Sequence, residues 1–343
     1  MDKCLKKLKV AIIGCGRISV MHLVSIKMLE GVNLVACCDI VKERADEVAS
    51  KYGCKAYYSV EDMFNNETLD AVHVLLPHYL HSKIAIYAME RGVNVLTEKP
   101  MDVDYESAEK AVELAKRKNL LYGVIFQCRY NNSAKLVKRA VSSGKLGKII
   151  SARSTLTWKR DDEYYSSSNW KGTWDKEGGG VVIDQAIHSI DLVNWIVDSE
   201  IESVDCHMVN RFHKIVNVED TAEGFIRYKN GTTYAFYCMN NYGTDEPIEI
   251  RLFCEKGSVI FGYDDAYIYY NDGTCEEAHQ DENTVEYEGG KSYWGFQHER
   301  QIAQFYKALM GEEPLDISGE EALKTHKLIC DIYKIGKKQM GVK

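Results

Sequence analysis

The chain has 343 residues, of which 45% are hydrophobic and 27% charged, and its formal net charge is −8 at pH 7. This length exceeds what one hydrophobic core usually organises, so we expect two domains, and the acidic balance argues against a nucleic-acid partner. No apolar run approaches the roughly 20 residues that a membrane-spanning helix needs, and no signal-peptide core is evident. We therefore expect a cytoplasmic protein with small-molecule partners and no membrane association.

The cysteines and histidines do not form a pattern typical of metal sites. The eleven cysteines are scattered, and Cys37 and Cys38 are adjacent within one apolar run. We interpret them as reduced thiols of the protein core. His73, His78 and His81 are close in sequence, but no carboxylate or thiol nearby completes a ligand set. No metal is predicted.

Residues 9–19 have the pattern of a buried strand that runs into a glycine turn and then a helix. Gly14 permits a sharp turn, and Gly16 lacks a side chain that would keep phosphates away from the following helix N-terminus. Ser19 occupies the position where a third glycine is common, and it is small enough for close packing of helix on strand. The pattern predicts a dinucleotide-binding turn; its alternative is an ordinary turn.

A carboxylate follows about 20 residues after the glycines, where the ribose hydroxyls of a bound dinucleotide are expected. Asp39 ends the second apolar run and is followed by Ile40 and Val41 rather than by a phosphate-binding residue. This pattern favours NAD over NADP. The alternative is that Asp39 only caps a helix over residues 42–52.

The first part of the chain alternates strand and helix patterns, which predicts a parallel, doubly wound sheet. A capping signal at Ser59 and Asp62 predicts a short helix before the third strand. The predicted strands cover residues 10–13, 34–38, 71–76, 94–97 and 121–126, and the predicted longer helices cover residues 20–30, 42–52, 81–91 and 104–118.

After residue 148 the pattern changes to β-branched and aromatic runs of period two, which predict a mainly antiparallel sheet. Asn230-Gly231 is a hairpin signal. Two closing helices are predicted around residues 294–310 and 320–338, the second with a capping box from Ser318 to Glu321. The predicted strands cover residues 149–158, 201–209, 222–228, 232–240, 248–254 and 266–270.

Lys99 follows the strand over residues 94–97 within the sequence Glu98-Lys99-Pro100. Ligands of open α/β sheets bind at the carboxyl ends of the strands, so an ammonium group there can hydrogen-bond a substrate hydroxyl and stabilise charge on its oxygen. The alternative is a solvated surface lysine.

A second cluster runs from three glycines at residues 178–180 to Asp184 and His188. The glycines allow close backbone approach, and the i, i+4 spacing places Asp184 and His188 on one face of the following helix. A histidine suits removal of a hydroxyl proton, and a nearby carboxylate can orient it or bind a neighbouring hydroxyl. The alternative is that Asp184 favours the helix dipole and His188 is a hydrogen-bonded core residue.

Residues 158–174 form a predicted long, polar loop rich in aromatic side chains. Aromatic faces beside polar groups suit the mixed surface of a sugar, although packing or a subunit interface also explains each aromatic residue. The candidate substrate contacts are Arg160, Tyr165 and Trp174, together with Arg129 and Tyr130 just after the first domain.

These motifs, in this order, resemble the Gfo/Idh/MocA family of NAD(P)-dependent sugar and polyol oxidoreductases. The most specific segments are residues 14–19, 77–81, 98–100 and 178–191; Ala186 stands where many members of that family have glycine. The resemblance implies an α/β protein with a Rossmann domain of doubly wound parallel sheet at residues 1–127. A second α/β domain at residues 128–343 would carry an open, mainly antiparallel sheet for substrate binding and oligomerisation, in a homodimer or homotetramer.

The resemblance also implies site residues. Lys99, Asp184 and His188 would be the catalytic set, and the base role can be debated between His188 and Lys99. The implied cofactor contacts are Gly14, Gly16, Arg17, Ile18, Asp39, Pro77, His81, Glu98 and Lys99.

The predicted function is hydride transfer between a secondary alcohol of a sugar, polyol or sugar derivative and NAD(P). Two alternatives remain at this point. One is a glycosidase that uses transient oxidation by NAD, against which the three glycines argue because hydrolase relatives carry a histidine among them. The other is a cofactor-sensing regulator without turnover.

Overall fold

A computed structural model describes residues 7–281 and 297–342. The described residues form two compact units, one of residues 7–127 with 297–323 and one of residues 128–281 with 324–342. The sequence predicted one domain boundary, after residue 127, and a continuous second domain of residues 128–343. The return of residues 297–323 to the first unit corrects that prediction. No described helix is long and apolar enough to cross a membrane.

The first unit alternates strands and helices as the sequence predicted, but β3 was not predicted and the ends of several elements differ. Its strands and α-helices up to residue 127 are β1 (Leu8–Ile13), α1 (Ser19–Met28), β2 (Val32–Cys38), α2 (Lys42–Tyr52), β3 (Lys55–Tyr57), α3 (Val60–Asn66), β4 (Ala71–Val74), α4 (His81–Glu90), β5 (Asn94–Thr97), α5 (Tyr105–Lys118) and β6 (Tyr122–Val124). Side chains define two helix starts, because Ser59 accepts a hydrogen bond from Asp62 N and Asp104 accepts one from Ser107 N.

The six described strands of this unit form one parallel sheet in the order β3-β2-β1-β4-β5-β6. The order reverses direction between β1 and β4, which is the topological switch point of a doubly wound fold. The carboxyl ends of β1, β4 and β5 are therefore neighbours at one edge of the sheet. This edge carries the glycine turn and Lys99, which follow β1 and β5 in the chain.

The second unit is built around a sheet that the sequence predicted as mainly antiparallel. Its elements are α6 (Asn132–Ser142), β7 (Ile149–Thr157), the short helix α7 (Asp162–Ser166), α8 (Ile187–Val197), β8 (Ile201–Val209), β9 (Thr221–Tyr228), β10 (Thr233–Met239), β11 (Glu249–Cys254), β12 (Gly257–Phe261), β13 (Ala266–Tyr270) and β14 (Cys275–Ala278). The helices α6 and α7 and the strands β12 and β14 were not predicted.

The eight described strands lie in the order β14-β13-β12-β11-β7-β10-β9-β8, and only β7 with β10 is a parallel pair. The hairpin between β9 and β10 turns at Asn230-Gly231, where Gly231 N donates to Tyr228 O. Gly231 has φ +90°, a conformation that glycine adopts at low cost. The predicted hairpin is therefore confirmed.

Two helices follow the second sheet in the chain, α9 (His298–Leu309) and α10 (Gly319–Met340). Of the predicted helix over residues 294–310, residues 294–296 lie outside the described part of the chain. Phe305 and Tyr306 of α9 are buried in the same hydrophobic cluster as Val10 of β1, which explains why this segment returns to the first unit. The predicted cap of the last helix is present, since Ser318 Oγ accepts from Glu321 N.

Candidate functional site

The glycine turn after β1 depends on its two glycines for different reasons. Gly14 has φ +102°, and a Cβ added to it would lie 2.2 Å from the carbonyl oxygen of Leu75. Its own amide donates to Cys38 O at 2.8 Å. Around Gly16, by contrast, a Cβ would meet no atom within 4 Å. Gly14 is thus required by the fold, whereas Gly16 faces open space of the kind a phosphate group needs.

Asp39, which follows β2, is hydrogen-bonded to the backbone of this turn through its carboxylate. Its Oδ2 accepts from Cys15 N and its Oδ1 from Val41 N, both at 2.8 Å. The residue that precedes α2 is Val41, and no side chain caps that helix. The alternative role of Asp39 as the cap of α2 is therefore wrong, and the carboxylate instead joins the glycine turn to the end of β2.

The ends of β4 and β5 are held together by a histidine. His81 Nδ1 lies 2.6 Å from Pro100 O, and its Nε2 lies 2.6 Å from Leu76 O. Glu98 N donates to Val74 O at 3.0 Å. These contacts fix the backbone around Pro77 and around Lys99. That Pro77, His81 and Glu98 contact the cofactor stays a prediction, as it does for exposed Arg17 and for Ile18 at the start of α1.

In the second unit, Asp184 lies in a π-helical turn, Val182–Ala186, which leads into α8. Its carboxylate accepts hydrogen bonds from Tyr164 Oη and from Gln185 Nε2. His188 follows in the first turn of α8 and is 1% exposed. The sequence predicted one continuous helix face for Asp184 and His188; the π-turn and the contact with Tyr164 were not predicted.

Tyr164, the residue before the predicted substrate contact Tyr165, donates a hydrogen bond to the carboxylate of Asp184. Tyr165 is buried, and its hydroxyl accepts from Asn240 Nδ2 at 2.7 Å. Asn240 Nδ2 also donates to Gln185 Oε1 at 3.0 Å. Tyr165 is therefore linked through Asn240 to Gln185, the residue that donates to the Asp184 carboxylate. The two tyrosines are adjacent in α7, and the sequence did not indicate the contact of Tyr164 with Asp184. That Tyr165 contacts the substrate stays a prediction.

Two of the three glycines before the π-turn, Gly179 and Gly180, are explained by close packing within the second unit. A Cβ on Gly179 would lie 2.1 Å from Tyr333 Oη, and one on Gly180 would lie 2.0 Å from the carbonyl oxygen of Glu219. The predicted close approach of the backbone is therefore present. The groups that the backbone approaches are Tyr333 and Glu219 of the protein itself.

Glu219 is a fully buried carboxyl group beneath this turn. It accepts from the amides of Gly180 and Val182 and from Tyr333 Oη. Burial raises the pKa of Glu219 to about 7, although these hydrogen bonds oppose the shift.

This shift predicts a pH-dependent stability. Because the folded protein holds the Glu219 proton more tightly than the unfolded chain, the group stabilises the fold below the usual carboxyl pKa. This contribution is lost as the pH rises through about 7. Glu219→Gln stays neutral and keeps an acceptor oxygen, so its loss of unfolding free energy between about pH 5 and about pH 8 should be smaller by on the order of a few kcal/mol.

Urea unfolding at both pH values measures this difference. Glu223→Gln, with the same change on a half-exposed side chain of β9, is the matched control. Equal pH dependence in wild type and Glu219→Gln would contradict the assignment.

The remaining predicted substrate contacts have protein partners. Arg129 binds both carboxylate oxygens of Asp191, at 2.8 and 2.6 Å, and is buried. Arg160 Nη1 lies 3.1 Å from Asp245 Oδ1. Tyr130 is buried, with Lys135 Nζ above its ring. Their role in substrate binding stays a prediction.

Trp174 differs from these residues. It is partly exposed, and its indole Nε1 meets no acceptor among the described residues. Its ring packs against Tyr333 and lies under Lys337 Nζ, 4.7 Å from the ring centre. Its role in substrate binding also stays a prediction.

Proteins similar to this chain include two inositol dehydrogenases and a dehydrogenase of known structure. Myo-inositol 2-dehydrogenase of Thermotoga maritima is 27% identical over 262 residues, which are 74% of this chain and 75% of that protein. The scyllo-inositol 2-dehydrogenase (NAD(+)) of Bacillus subtilis is 25% identical over 261 residues, 75% of this chain and 74% of that one. The crystal structure of the WlbA dehydrogenase from Bordetella pertussis with NADH and UDP-GlcNAcA has a TM-score of 0.84 and 26% identity, and the match covers 97% of each chain.

Two family models match most of the chain. Residues 8–126 match an oxidoreductase family with an NAD-binding Rossmann fold, and residues 134–260 match the GFO/IDH/MocA C-terminal domain. The glycine turn, Asp39 and the open space at Gly16 fit NAD, the cofactor of this Rossmann domain. The chain is therefore a member of the Gfo/Idh/MocA family of oxidoreductases, whose first domain is an NAD-binding Rossmann fold.

Proposed function

We propose that this protein oxidises a secondary alcohol of a sugar, polyol or sugar derivative and passes the hydride to NAD. The observation that carries this proposal is the position of the glycine turn and Lys99 at the same edge of one parallel sheet, at the carboxyl ends of β1 and β5, which lie on either side of β4. Relatives named as inositol dehydrogenases support the substrate class.

We assign three residues to the reaction. His188 accepts the hydroxyl proton, Lys99 hydrogen-bonds the reacting oxygen, and Asp184 binds a neighbouring hydroxyl or orients the histidine. Bound NAD supplies the hydride acceptor. Tyr164 donates to Asp184 and so positions its carboxylate. Trp174 offers the exposed part of its ring to the sugar.

We further propose NAD rather than NADP as the working cofactor. The Asp39 carboxylate repels a 2′-phosphate, and the next residue, Ile40, is highly exposed and carries no charge to bind one.

The two glycines of the turn give a matched test of this cofactor site. Gly16→Ala places a Cβ in open space, so the variant should fold normally but bind NAD about tenfold or more weakly, because the Cβ occupies the space for the pyrophosphate. Gly14→Ala should lose stability instead, since its Cβ meets Leu75 O. Calorimetric NAD titration and thermal unfolding measure both effects. Normal NAD affinity of Gly16→Ala would contradict the placement.

We also propose that the protein works in the cytoplasm as a homodimer or homotetramer. Ten of its cysteines lie in the described residues and are thiols, which suits a reducing compartment. One face of the second sheet exposes large apolar side chains of five different strands, which a second copy would cover. They are Ile150, Phe225, Tyr237, Phe253 and Tyr269.

The proposed function is tested by a screen for NADH formation over free sugars, inositols, sugar phosphates and nucleotide sugars. We expect reduction of NAD with a subset of these compounds and weaker activity with NADP. Tight NAD binding without reduction by any compound in the panel would favour the regulator instead.

A further inference from the structure

A buried chain of hydrogen bonds in the first unit ends on the residue before Lys99. Tyr306 Oη lies 2.7 Å from His73 Nε2, and His73 Nδ1 lies 2.8 Å from His22 Nδ1. His22 Nε2 then lies 3.1 Å from Glu98 Oε1. His298 Nε2 reaches the same oxygen at 3.2 Å. We call these five residues the Glu98 network; Glu98, at 6%, is the most exposed of them.

Elementary hydrogen-bond chemistry fixes the proton positions in the network. An ionised Glu98 only accepts, so the Nε2 atoms of His22 and His298 both donate to it. The Nδ1 of a neutral His22 is then an acceptor, which requires a proton on His73 Nδ1. His73 Nε2 becomes the acceptor for the hydroxyl of Tyr306. One carboxylate at Glu98 and neutral imidazoles at His22 and His73 therefore satisfy every bond from Tyr306 to Glu98.

The charge states agree with this arrangement. Burial opposes ionisation of Glu98, but the bonds from His22 and His298 outweigh it and hold the pKa of Glu98 well below its usual range. Burial also lowers the pKa of His22 and of His73, which keeps both rings neutral. The hydrogen-bonded chain from Tyr306 through His73 and His22 is therefore uncharged and ends on the carboxylate of Glu98.

The second oxygen of that anion is bound to the backbone of Lys99. Lys99 N donates to Glu98 Oε2 at 3.2 Å. His22 lies on α1, the helix that follows the glycine turn, and His73 lies on β4. The carboxylate therefore fixes the Lys99 peptide group relative to the cofactor-binding helix.

We propose that the Glu98 network sets the position of Lys99 for hydride transfer, with His22, His73, His298 and Tyr306 as positioning residues. The inference rests on the role of Lys99 in the proposed function. It assigns a shared task to four residues of α1, β4 and α9 that the sequence analysis did not connect with the site.

A bound cation is the competing explanation for the same residues. The ligand atoms of His22, Glu98 and His298 lie within 4.8 Å of one another, as in a zinc site. A cation would require unprotonated Nε2 atoms and would reverse the chain, with His22 Nδ1–H donating to His73. Metal analysis of the purified protein separates the two: the proposal predicts no stoichiometric metal, and one zinc per chain would overturn it.

The decisive variants are His22→Gln and His22→Asn. The amide nitrogen of glutamine can replace Nε2 and donate to Glu98, whereas that of asparagine replaces Nδ1 and leaves Glu98 without this donor. We expect kcat of His22→Asn to fall about tenfold to a hundredfold, with the KM for NAD changed less than about threefold. His22→Gln should keep most of the activity. Equal losses in the two variants would overturn the proposal.

A readout that does not need turnover keeps this test separate from the proposed function. Hydrogen exchange of the peptide that contains Lys99 should be faster in His22→Asn and close to wild type in His22→Gln, because only the first weakens the bond from Lys99 N to Glu98. If wild type oxidises no sugar but this contrast appears, the proposed function fails while the positioning of Lys99 stands. Identical exchange in all three proteins would overturn the positioning role.

Discussion

Replacing Lys99 by alanine is expected to lower kcat by about a hundredfold or more, because the reacting oxygen loses the ammonium group that stabilises its charge. His188→Ala should lower kcat by a similar factor through loss of the base. NAD affinity should stay close to that of wild type in both variants, since Lys99 acts on the reacting oxygen in this account and His188 lies outside the Rossmann domain. Steady-state kinetics with the best substrate from the screen, together with calorimetric NAD titration, measure both quantities.

Lys83→Ala is the matched control for Lys99. It removes the same charge from an exposed position on α4 of the same unit and should leave kcat unchanged. Near-normal turnover of both Lys99→Ala and His188→Ala would refute the assignment of the two residues.

Arg129→Met is expected to cost about 3–5 kcal/mol of unfolding free energy. The substitution leaves the carboxylate of Asp191 buried, with Thr325 Oγ1 as its remaining described side-chain donor, at 2.7 Å. Uncompensated burial of a charge is among the most destabilising single changes. Urea unfolding at constant pH measures the effect, and Arg129→Met combined with Asp191→Asn should recover part of the loss.

Arg153→Met controls for the removal of an arginine. Arg153 lies on the same unit, has a side chain that is 61% exposed, and pairs with Glu249 only at 3.7 Å. Its loss should change stability by less than about 0.5 kcal/mol. A cost of Arg129→Met no larger than that of Arg153→Met would show that the buried pair is not structurally important.

Local features of the fold were predictable from sequence because their causes are local. The caps at Ser59 and Ser318 and the turn at Asn230-Gly231 each depend on residues within three or four positions. The short strands β3 and β14 were missed, since three or four residues are too few to establish a period of two.

Features that depend on distant residues were not predictable in the same way. The helix pattern of α9 shows an apolar face but does not say which sheet that face covers, so its return to the first unit was missed. The three glycines signalled close approach, whereas their partners Tyr333 and Glu219 are remote in the chain. The contact of Tyr164 with Asp184 likewise appears only once α7 and the π-turn are folded.

The histidines illustrate the same limit. His73 lies near His78 and His81 in the sequence, but this proximity does not identify the partners of its side chain. Its hydrogen-bond partners are His22 and Tyr306, which lie 51 and 233 positions away. His22, three residues after Ser19 on α1, is visible in the sequence. Its role cannot be inferred there, because it depends on the contact with Glu98 that the fold creates.

The most direct test of the account follows the hydride itself. A polyol identified by the screen is deuterated at its carbinol carbons and incubated with the protein and NAD, and the cofactor is analysed by mass spectrometry. Hydride transfer from the substrate to NAD predicts one deuterium in each molecule of reduced cofactor formed and one equivalent of oxidised polyol. Sugar turnover without net reduced cofactor, or reduced cofactor without the label, would contradict it.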